Sequence, residues 1–326
     1  MKADALGRKF NTLRLSLTNV CNLACLYCVH ESDASSQAFL PTGNEDISDG
    51  KKILSVDEFI AVIKGILRHT SLDTVRLTGG EPTLFKDLVP LVKALKDIGI
   101  PKVVLTTNGF LLKRKAKALS EAGLYGINFS LDAVDKDIFY KMSRRDKLNA
   151  TLEGIDAALE NGINVKINSV IMKGLNDSEI LPLFDYAISK NVYIRFLELM
   201  KMGHLYQGHN EFFFSEQDIL WTIAQKYSFQ KKMRTGSSTA NYWETEEGHK
   251  FGIIANESSP FCFDCNRLRL DSFGNIYGCL SDNNGISILD CLEDDLLMEQ
   301  RLQLALKQKQ DVKFTGSDLS MKAIGG

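Results

Sequence analysis

The 326-residue chain contains no run of about 18 apolar residues, which excludes a membrane-spanning helix. Its first residues, MKADALGRKF, have no apolar middle segment of the kind that marks a secretory leader, so a cytoplasmic location is expected. It has no excess of positive charge: 39 Lys and Arg against 41 Asp and Glu leave a net charge of −2. A nucleic acid or a membrane held through bulk charge is therefore not an expected partner. No G-x-x-x-x-G-K-[ST] occurs, so a nucleotide would not be held by a phosphate loop of that type. There is no low-complexity tail and no repeat beyond an alternation of strands and helices. Finally, no cysteine lies between Cys28 and Cys262, although the chain has seven.

Those seven fall at Cys21, Cys25, Cys28, Cys262, Cys265, Cys279 and Cys291. In a reducing compartment disulfides are rare, and such clustering reads as metal ligation first. The remaining composition, 44% hydrophobic and 25% charged, is that of a packed soluble protein. The length suggests about two domains or one large α/β unit.

Short β-branched runs at 12–16, 73–77, 102–105, 126–131, 164–171 and 192–197 alternate with helical patterns at 55–67, 86–98, 113–122, 149–160 and 177–190. The first helix opens Ser55-Val56-Asp57-Glu58, a capping-box pattern. Six β-α units imply a parallel sheet with right-handed crossovers. A closed barrel takes eight, so an incomplete (β/α)6 TIM-like barrel is expected, with its chemistry at the strand C-terminal ends. Residues 31–51 read as a long loop, 215–227 as a helix and 236–247 as polar and irregular. The expected division is 1–235 for the partial barrel and 236–326 for a compact C-terminal portion.

Cys21, Cys25 and Cys28 stand on a tight loop directly after the first strand, where three thiolates converge on one soft-metal centre. Three thiolates on a 4Fe–4S cubane leave one iron open; a structural zinc site is the alternative, although zinc sites usually close with four ligands. Cys262, Cys265 and Cys279 form a second trio with no nearby histidine. A second cluster with an open iron is the simplest reading, and a zinc ribbon lacking one ligand the alternative. Cys291 reads as a buried thiol. Leu77-Thr78-Gly79-Gly80-Glu81-Pro82 follows the second strand. Its glycines allow close backbone approach, and Glu81 can accept from an ammonium, though a plain β-α turn has the same sequence. Arg267 and Arg269 alternate on a strand-like run and share a face, which suits a polyanion such as phosphate. Arg14, Arg76, Lys166 and Arg195 are also cations on strands, each alone explicable by a surface ion pair, and together suited to one barrel mouth.

The C-x-x-x-C-x-x-C loop after a strand, followed by TGGEP, resembles the radical S-adenosylmethionine (SAM) superfamily. That resemblance implies SAM contacts at Tyr27, Gly80, Glu81, Ser130 and Met200; on its residues alone Met200 reads as a core methionine. Both trios, TGGEP, TTNGF, NFSLDA, RFLEL with MKMG, TANYW, GIIANESSPFC, CNRLRL and the closing Gly325-Gly326 resemble the GTP 3′,8-cyclases of molybdenum cofactor biosynthesis, from about residue 13 to 326.

The resemblance implies a radical SAM-type barrel and two 4Fe–4S clusters, one on Cys21, Cys25 and Cys28 and one on Cys262, Cys265 and Cys279. It implies GTP contacts at Arg14, Arg76, Thr107, Lys166, Arg267 and Arg269, with Arg267, Arg269, Gly325 and Gly326 in catalytic roles. The implied lyase reaction begins when a radical made from SAM takes hydrogen from the ribose 3′ carbon of GTP. That carbon then attacks guanine C8, giving (8S)-3′,8-cyclo-7,8-dihydroguanosine 5′-triphosphate. An electron donor, delivery of product to cyclic pyranopterin monophosphate synthase, and a homodimer as one allowed assembly belong to the same expectation. Val29-His30 after the first trio, MKMG, and Thr74 where many members carry lysine depart from the family pattern. A peptide-modifying radical SAM maturase and a non-catalytic metal-binding module are the competing readings.

Overall fold

The computed structural model describes residues 4, 6–30, 47–48, 51–234 and 236–317. The expected glycine tail, Gly325-Gly326, and most of the expected loop 31–51 lie outside the described residues. In chain order the main elements are β1 (Thr12–Ser16), α1 (Val56–Leu67), β2 (Thr74–Thr78), α2 (Leu88–Asp97), β3 (Lys102–Thr107), α3 (Ala116–Glu121) and β4 (Gly126–Ser130). They continue through α4 (Lys136–Ser143), α5 (Leu148–Glu160), β5 (Asn164–Ile171), α6 (Ile180–Ser189), β6 (Tyr193–Glu198) and α7 (Glu216–Ala224). The remainder are β7 (Phe229–Lys232), β8 (Asn241–Thr245), β9 (Lys250–Ile254), β10 (Arg267–Leu270), β11 (Asn275–Tyr277), β12 (Ile286–Ser287) and α8 (Asp295–Lys307).

A strand turns successive side chains to opposite faces, and the sequence uses that alternation to separate charge from core. In β1, Leu13 and Leu15 are buried while Thr12 and Arg14 are only partly so; in β2 the same holds for Val75 and Leu77 against Thr74 and Arg76. The apolar set packs with Phe59, Val62, Ile63 and Leu91 of the surrounding helices in one continuous core. The polar set is left on the other face. The capping box of α1 forms as its sequence requires: Glu58 N–H donates to Ser55 Oγ at 3.3 Å, and Ser55 N–H donates to the Glu58 carboxylate at 2.7 Å.

The sheet runs β12-β11-β10-β1-β2-β3-β4-β5-β6-β9-β8-β7. β1 to β6 are the six expected parallel strands, and the linear order leaves the barrel unclosed. Two further strands are parallel as well: β10 pairs with β1, and β9 with β6. Both come from the portion after residue 235, so that portion extends the barrel sheet at each edge. The expected boundary falls between β7 and β8, which are antiparallel neighbours. Residues 241–245, expected to be irregular, form β8. Its sequence carries no apolar alternation, and the pairing is secured from outside by Trp243 stacking on Phe251 of β9, with ring centroids 5.6 Å apart.

Leu268 of β10 is fully buried against this common core. Leu268→Ala is expected to cost about 2–5 kcal/mol, seen as a displaced urea midpoint of one cooperative transition. A loss confined to a separate early transition would show instead that the C-terminal portion unfolds by itself.

Candidate active site

Register determines where the cations meet. Arg269 is paired with Arg14, and Arg14 with Arg76, across three adjacent parallel strands. On the opposite wall Asn128 pairs with Lys166, and Asn168 with Arg195. Arg14, Arg76, Lys166, Asn168, Arg195 and Arg269 line one cavity of about 860 Å³ inside the barrel. Neighbouring strands are about 4.8 Å apart, so two guanidinium groups held at that spacing repel by roughly 3 kcal/mol at an effective dielectric of about 20. Among the described residues no ion pair includes Arg14, Arg76, Lys166, Arg195 or Arg267. Burial, then Arg269 and Arg76, pushes the Arg14 guanidinium well below the ordinary arginine range. Burial, then Arg195 and Arg267, brings Arg76 down to about 9, and burial with Arg267 brings Arg269 to about 10. Guanidinium groups do not give up their proton in proteins. The physical content of these shifts is an enclosed positive field that favours an anion. Arg14 Nε and Arg195 Nε are buried with no hydrogen-bond partner.

The same cavity is lined by all six cysteines of the two trios. They approach it from opposite ends. Cys21, Cys25 and Cys28 follow the C-terminal end of β1, where Cys28 N–H donates to Cys25 O at 2.9 Å to close the loop. Cys262 and Cys265 precede the N-terminal end of the parallel strand β10, on the turn Cys262–Asp264. Antiparallel β11 brings the chain back, so Cys279 returns to that same end. The strand span between the trios is roughly 13 Å at about 3.3 Å per residue. This corrects the expectation that the chemistry gathers at the strand C-terminal ends, because only the first trio does.

The TGGEP segment is organised differently from the sequence reading. Gly80 N–H donates to Thr18 O at 2.6 Å and Glu81 N–H to Val20 O at 2.8 Å. A Cβ on Gly79, whose φ is +141°, would stand 2.4 Å from Thr18 O, and one on Gly80 would stand 2.2 Å from Val20 O. The glycines therefore admit the chain's own 18–20 segment and hold the entry to the first cysteine loop. Glu81 is 1% exposed and already committed. One oxygen accepts from Thr83 N–H at 2.9 Å, Thr83 Oγ1 at 2.6 Å and Thr107 Oγ1 at 2.6 Å; the other accepts from Asn108 N–H at 2.9 Å. Burial lifts its carboxyl, against the pull of Thr107, Thr83 and Asn108. Glu81 thus braces the wall instead of presenting a free carboxylate to an ammonium. Thr107 is similarly engaged, since its hydroxyl also accepts from Gly109 N–H at 3.0 Å. Asn108 Nδ2 continues the brace to Asn22 Oδ1 at 2.8 Å, within the first cysteine loop.

Tyr27, Ser130 and Met200 line the cavity. Tyr27 Oη donates to Asp132 at 2.8 Å, and Val170 N–H donates to the other oxygen of Asp132 at 2.8 Å. Burial raises Asp132 to about 6. Met200 also packs on Met202, Tyr277, Leu280 and Phe314, which joins the core and cavity readings of that residue. Cys291 is fully buried and its Sγ donates to Ile288 O at 3.2 Å. Sequence reasoning missed Asp132, Asn168, Asn256, Tyr242 and Lys309, which also line the cavity. Asn168 was findable, standing two residues from Lys166 on one strand face. Lys309 gave no signal within its Lys- and Gln-rich segment.

The Radical SAM superfamily model matches residues 15–187, and the Molybdenum Cofactor Synthesis C model matches residues 192–315. The chain is 37% identical over 295 residues to the GTP 3′,8-cyclase of Nautilia profundicola, covering 90% of this chain and 88% of that one. It is 36% identical to the GTP 3′,8-cyclase of Helicobacter pylori strain J99, covering 95% and 94%. The chain belongs to the GTP 3′,8-cyclase family. Two solved structures share the radical SAM fold at low identity. SuiB of Streptococcus suis bound to S-adenosylmethionine has a TM-score of 0.60 at 16% identity, covering 90% of this chain and 67% of that one. Native anSMEcpe with bound AdoMet has a TM-score of 0.62 at 17% identity, covering 91% and 82%.

The family's cofactors are SAM and two 4Fe–4S clusters, and the residues present fit them. None of the six trio cysteines is in a disulfide. Among the described residues no three His, Cys, Asp or Glu groups are arranged as a compact single-ion site. Burial would raise the Cys265 thiol, but Arg267 and Lys309 outweigh it and bring it down to about 6, as a thiolate ligand requires. Burial, then Cys279 and Cys265, pushes Cys262 up to about 11. Asn168 Oδ1 and Asn256 Nδ2, both in the cavity wall, are buried acceptor and donor atoms without partners, suited to a nucleoside-like ligand.

Glu81→Gln would set an amide N–H₂ against one of four converging donors. It is expected to cost about 1–3 kcal/mol in urea denaturation and to weaken SAM binding. Wild-type stability in that variant would remove Glu81 from the brace.

Proposed function

We propose that this chain converts GTP to (8S)-3′,8-cyclo-7,8-dihydroguanosine 5′-triphosphate, as a lyase of molybdenum cofactor biosynthesis. The observation that carries the reading is one cavity with a cysteine trio at each end and an array of cations on the strands between, of which Arg14, Arg76, Lys166, Arg195 and Arg267 take part in no ion pair among the described residues. When bound, the first cluster and SAM supply a radical that takes the 3′ hydrogen of GTP, and the second cluster supplies an open iron that anchors guanine.

Cys21, Cys25 and Cys28 would hold the first cluster, and Cys262, Cys265 and Cys279 the second. Tyr27, Gly80, Ser130 and Met200 of the cavity wall would contact SAM, with Glu81 acting through its brace to Thr107 and Asn108. Arg14, Arg76, Lys166, Arg195, Arg267 and Arg269 neutralise and orient the triphosphate. A multivalent anion offsets several like-charge repulsions at once, so the cations bind it strongly while fixing its register. Because the cations sit on strands, the GTP ribose is held at a set distance from the first trio, and orientation of this kind is the protein's main contribution to a radical step. The barrel wall excludes water from the reacting carbon. Arg267, Arg269, Gly325 and Gly326 complete the catalytic group in this reading. The reading also includes an electron donor, product delivery to cyclic pyranopterin monophosphate synthase and a cytoplasmic location, with a homodimer as one allowed assembly. Residues 1–235 act as the SAM barrel, and 236–326 as the substrate portion built onto its edges.

Anaerobic incubation with GTP, SAM and a reductant tests the reading: 5′-deoxyadenosine and the cyclised product should form only when GTP is present. SAM cleavage indifferent to GTP would overturn it. Arg14→Ala is expected to raise the GTP dissociation constant at least tenfold, or about 1.4 kcal/mol, with SAM affinity little changed. Equal weakening of both ligands would disprove the assignment of this array to the triphosphate.

A further inference from the structure

Lys309 follows α8 and lies in the cavity wall beside the second trio. Its ammonium donates to Cys265 Sγ at 3.4 Å and to the carbonyl of Arg267, and it stands 4.9 Å from the centre of the Phe10 ring. Arg267 Nε donates to the same sulfur at 3.4 Å. Among the described residues no ion pair includes Lys309. A half-buried ammonium is favoured by an anion beside it. The partner offered here is a sulfur that becomes negative on ligation.

The position is built. Arg8, 7% exposed, donates to Cys262 O at 2.7 Å, to Gln310 O at 2.9 Å, to Asp311 at 3.1 Å and to Asp4 at 2.6 Å. One guanidinium therefore clamps the turn that carries Cys262 to the residues just after Lys309. The lysine and the trio cannot drift apart without breaking several buried bonds.

We propose that Lys309 is a positioning residue of the second cluster: its N–H···S bond and positive charge anchor Cys265 and make that cluster easier to reduce. The inference rests on the reading of Cys262, Cys265 and Cys279 as a 4Fe–4S site. Hydrogen bonds to cluster sulfurs and nearby charge are established controls of cluster potential. Reduction adds negative charge, which an adjacent cation stabilises. Arg267 shares the sulfur but also faces the substrate region, whereas Lys309 is tied to sulfur and backbone.

The test is an anaerobic redox titration of the reconstituted full-length chain, followed by electron paramagnetic resonance, with iron counted per chain. A chain with Cys21, Cys25 and Cys28 all changed to Ala isolates the second signal. Lys309→Met should shift that potential to more negative values, and Lys309→Arg should restore most of the shift. Loss of the second cluster's iron in Lys309→Met with retention in Lys309→Arg would support the same role. An unchanged potential at full iron content would overturn the inference, as would loss of that iron in both variants. A raised KM for GTP with an unchanged potential would also overturn it, making Lys309 a substrate contact. About four iron per chain in the wild type, in place of about eight, would instead defeat the cluster reading itself.

Discussion

Cations drawn away from water with no carboxylate partner among the described residues are the constraint on which the rest of this molecule depends. Desolvating a charge costs several kcal/mol even after relaxation; Arg195 is buried and Arg14 and Arg76 are half-buried in one interior. A TIM-type barrel ordinarily fills this space with branched apolar side chains. Here the alternation that gives Leu13, Leu15, Val75 and Leu77 to the helices leaves Arg14 and Arg76 pointing the other way, into a cavity of about 860 Å³. Stability on the outer face of the sheet thus supports an inner face that is unfavourable until an anion enters. Ligand binding and stability are coupled by mass action in such a design.

The topology converts that chemistry into distance. Loops can place reactive groups, but side chains on strands are held more firmly. The two cysteine trios flank the strands, and the cations lie on them in register, so the separation between trios is set largely by the rise per residue of β1 and β10. β10 and β11 carry the second trio to the far end because one is parallel to β1 and the other antiparallel to β10. Detaching the C-terminal portion would remove not only Cys262, Cys265 and Cys279 but also β10, the strand that bears Arg267 and Arg269.

Much of this was legible in the sequence because the signals were local. Strand alternation, the Ser55 capping box and the cysteine spacing each involve residues within one element, and their geometry follows from a period of two or of 3.6. What escaped was what only register and chain reversal create. Nothing in the sequence near Cys262 says that it approaches from the N-terminal end of the barrel. Nothing in NYWET says that Trp243 will stack on Phe251 and make a strand of it. Glu81 was read as an acceptor for a ligand because a carboxylate after two glycines looks available. Its four donors come from Thr83, Thr107 and Asn108, two of which lie more than twenty residues away.

The contrast between buried acids and buried bases then identifies what the cavity is for. Glu81 accepts four hydrogen bonds from the protein. Glu198, at the end of β6, also accepts four: Glu216, Glu257 and Ser258 N–H at 2.9, 2.9 and 3.1 Å, and the Ser258 hydroxyl. Both line the cavity, yet their charge is spent on holding backbone in place. Arg14 and Arg195, in the same wall, keep donor atoms that the protein leaves without partners. A wall in which Glu81 and Glu198 are engaged by the protein, while Arg14 and Arg195 each keep an unpartnered N–H, favours a ligand that brings acceptors. A ligand without acceptors would leave those donors unpaired at a cost of about 1–3 kcal/mol each. The proposed binding of a polyanionic nucleotide therefore rests on which of these charges the fold itself has already answered.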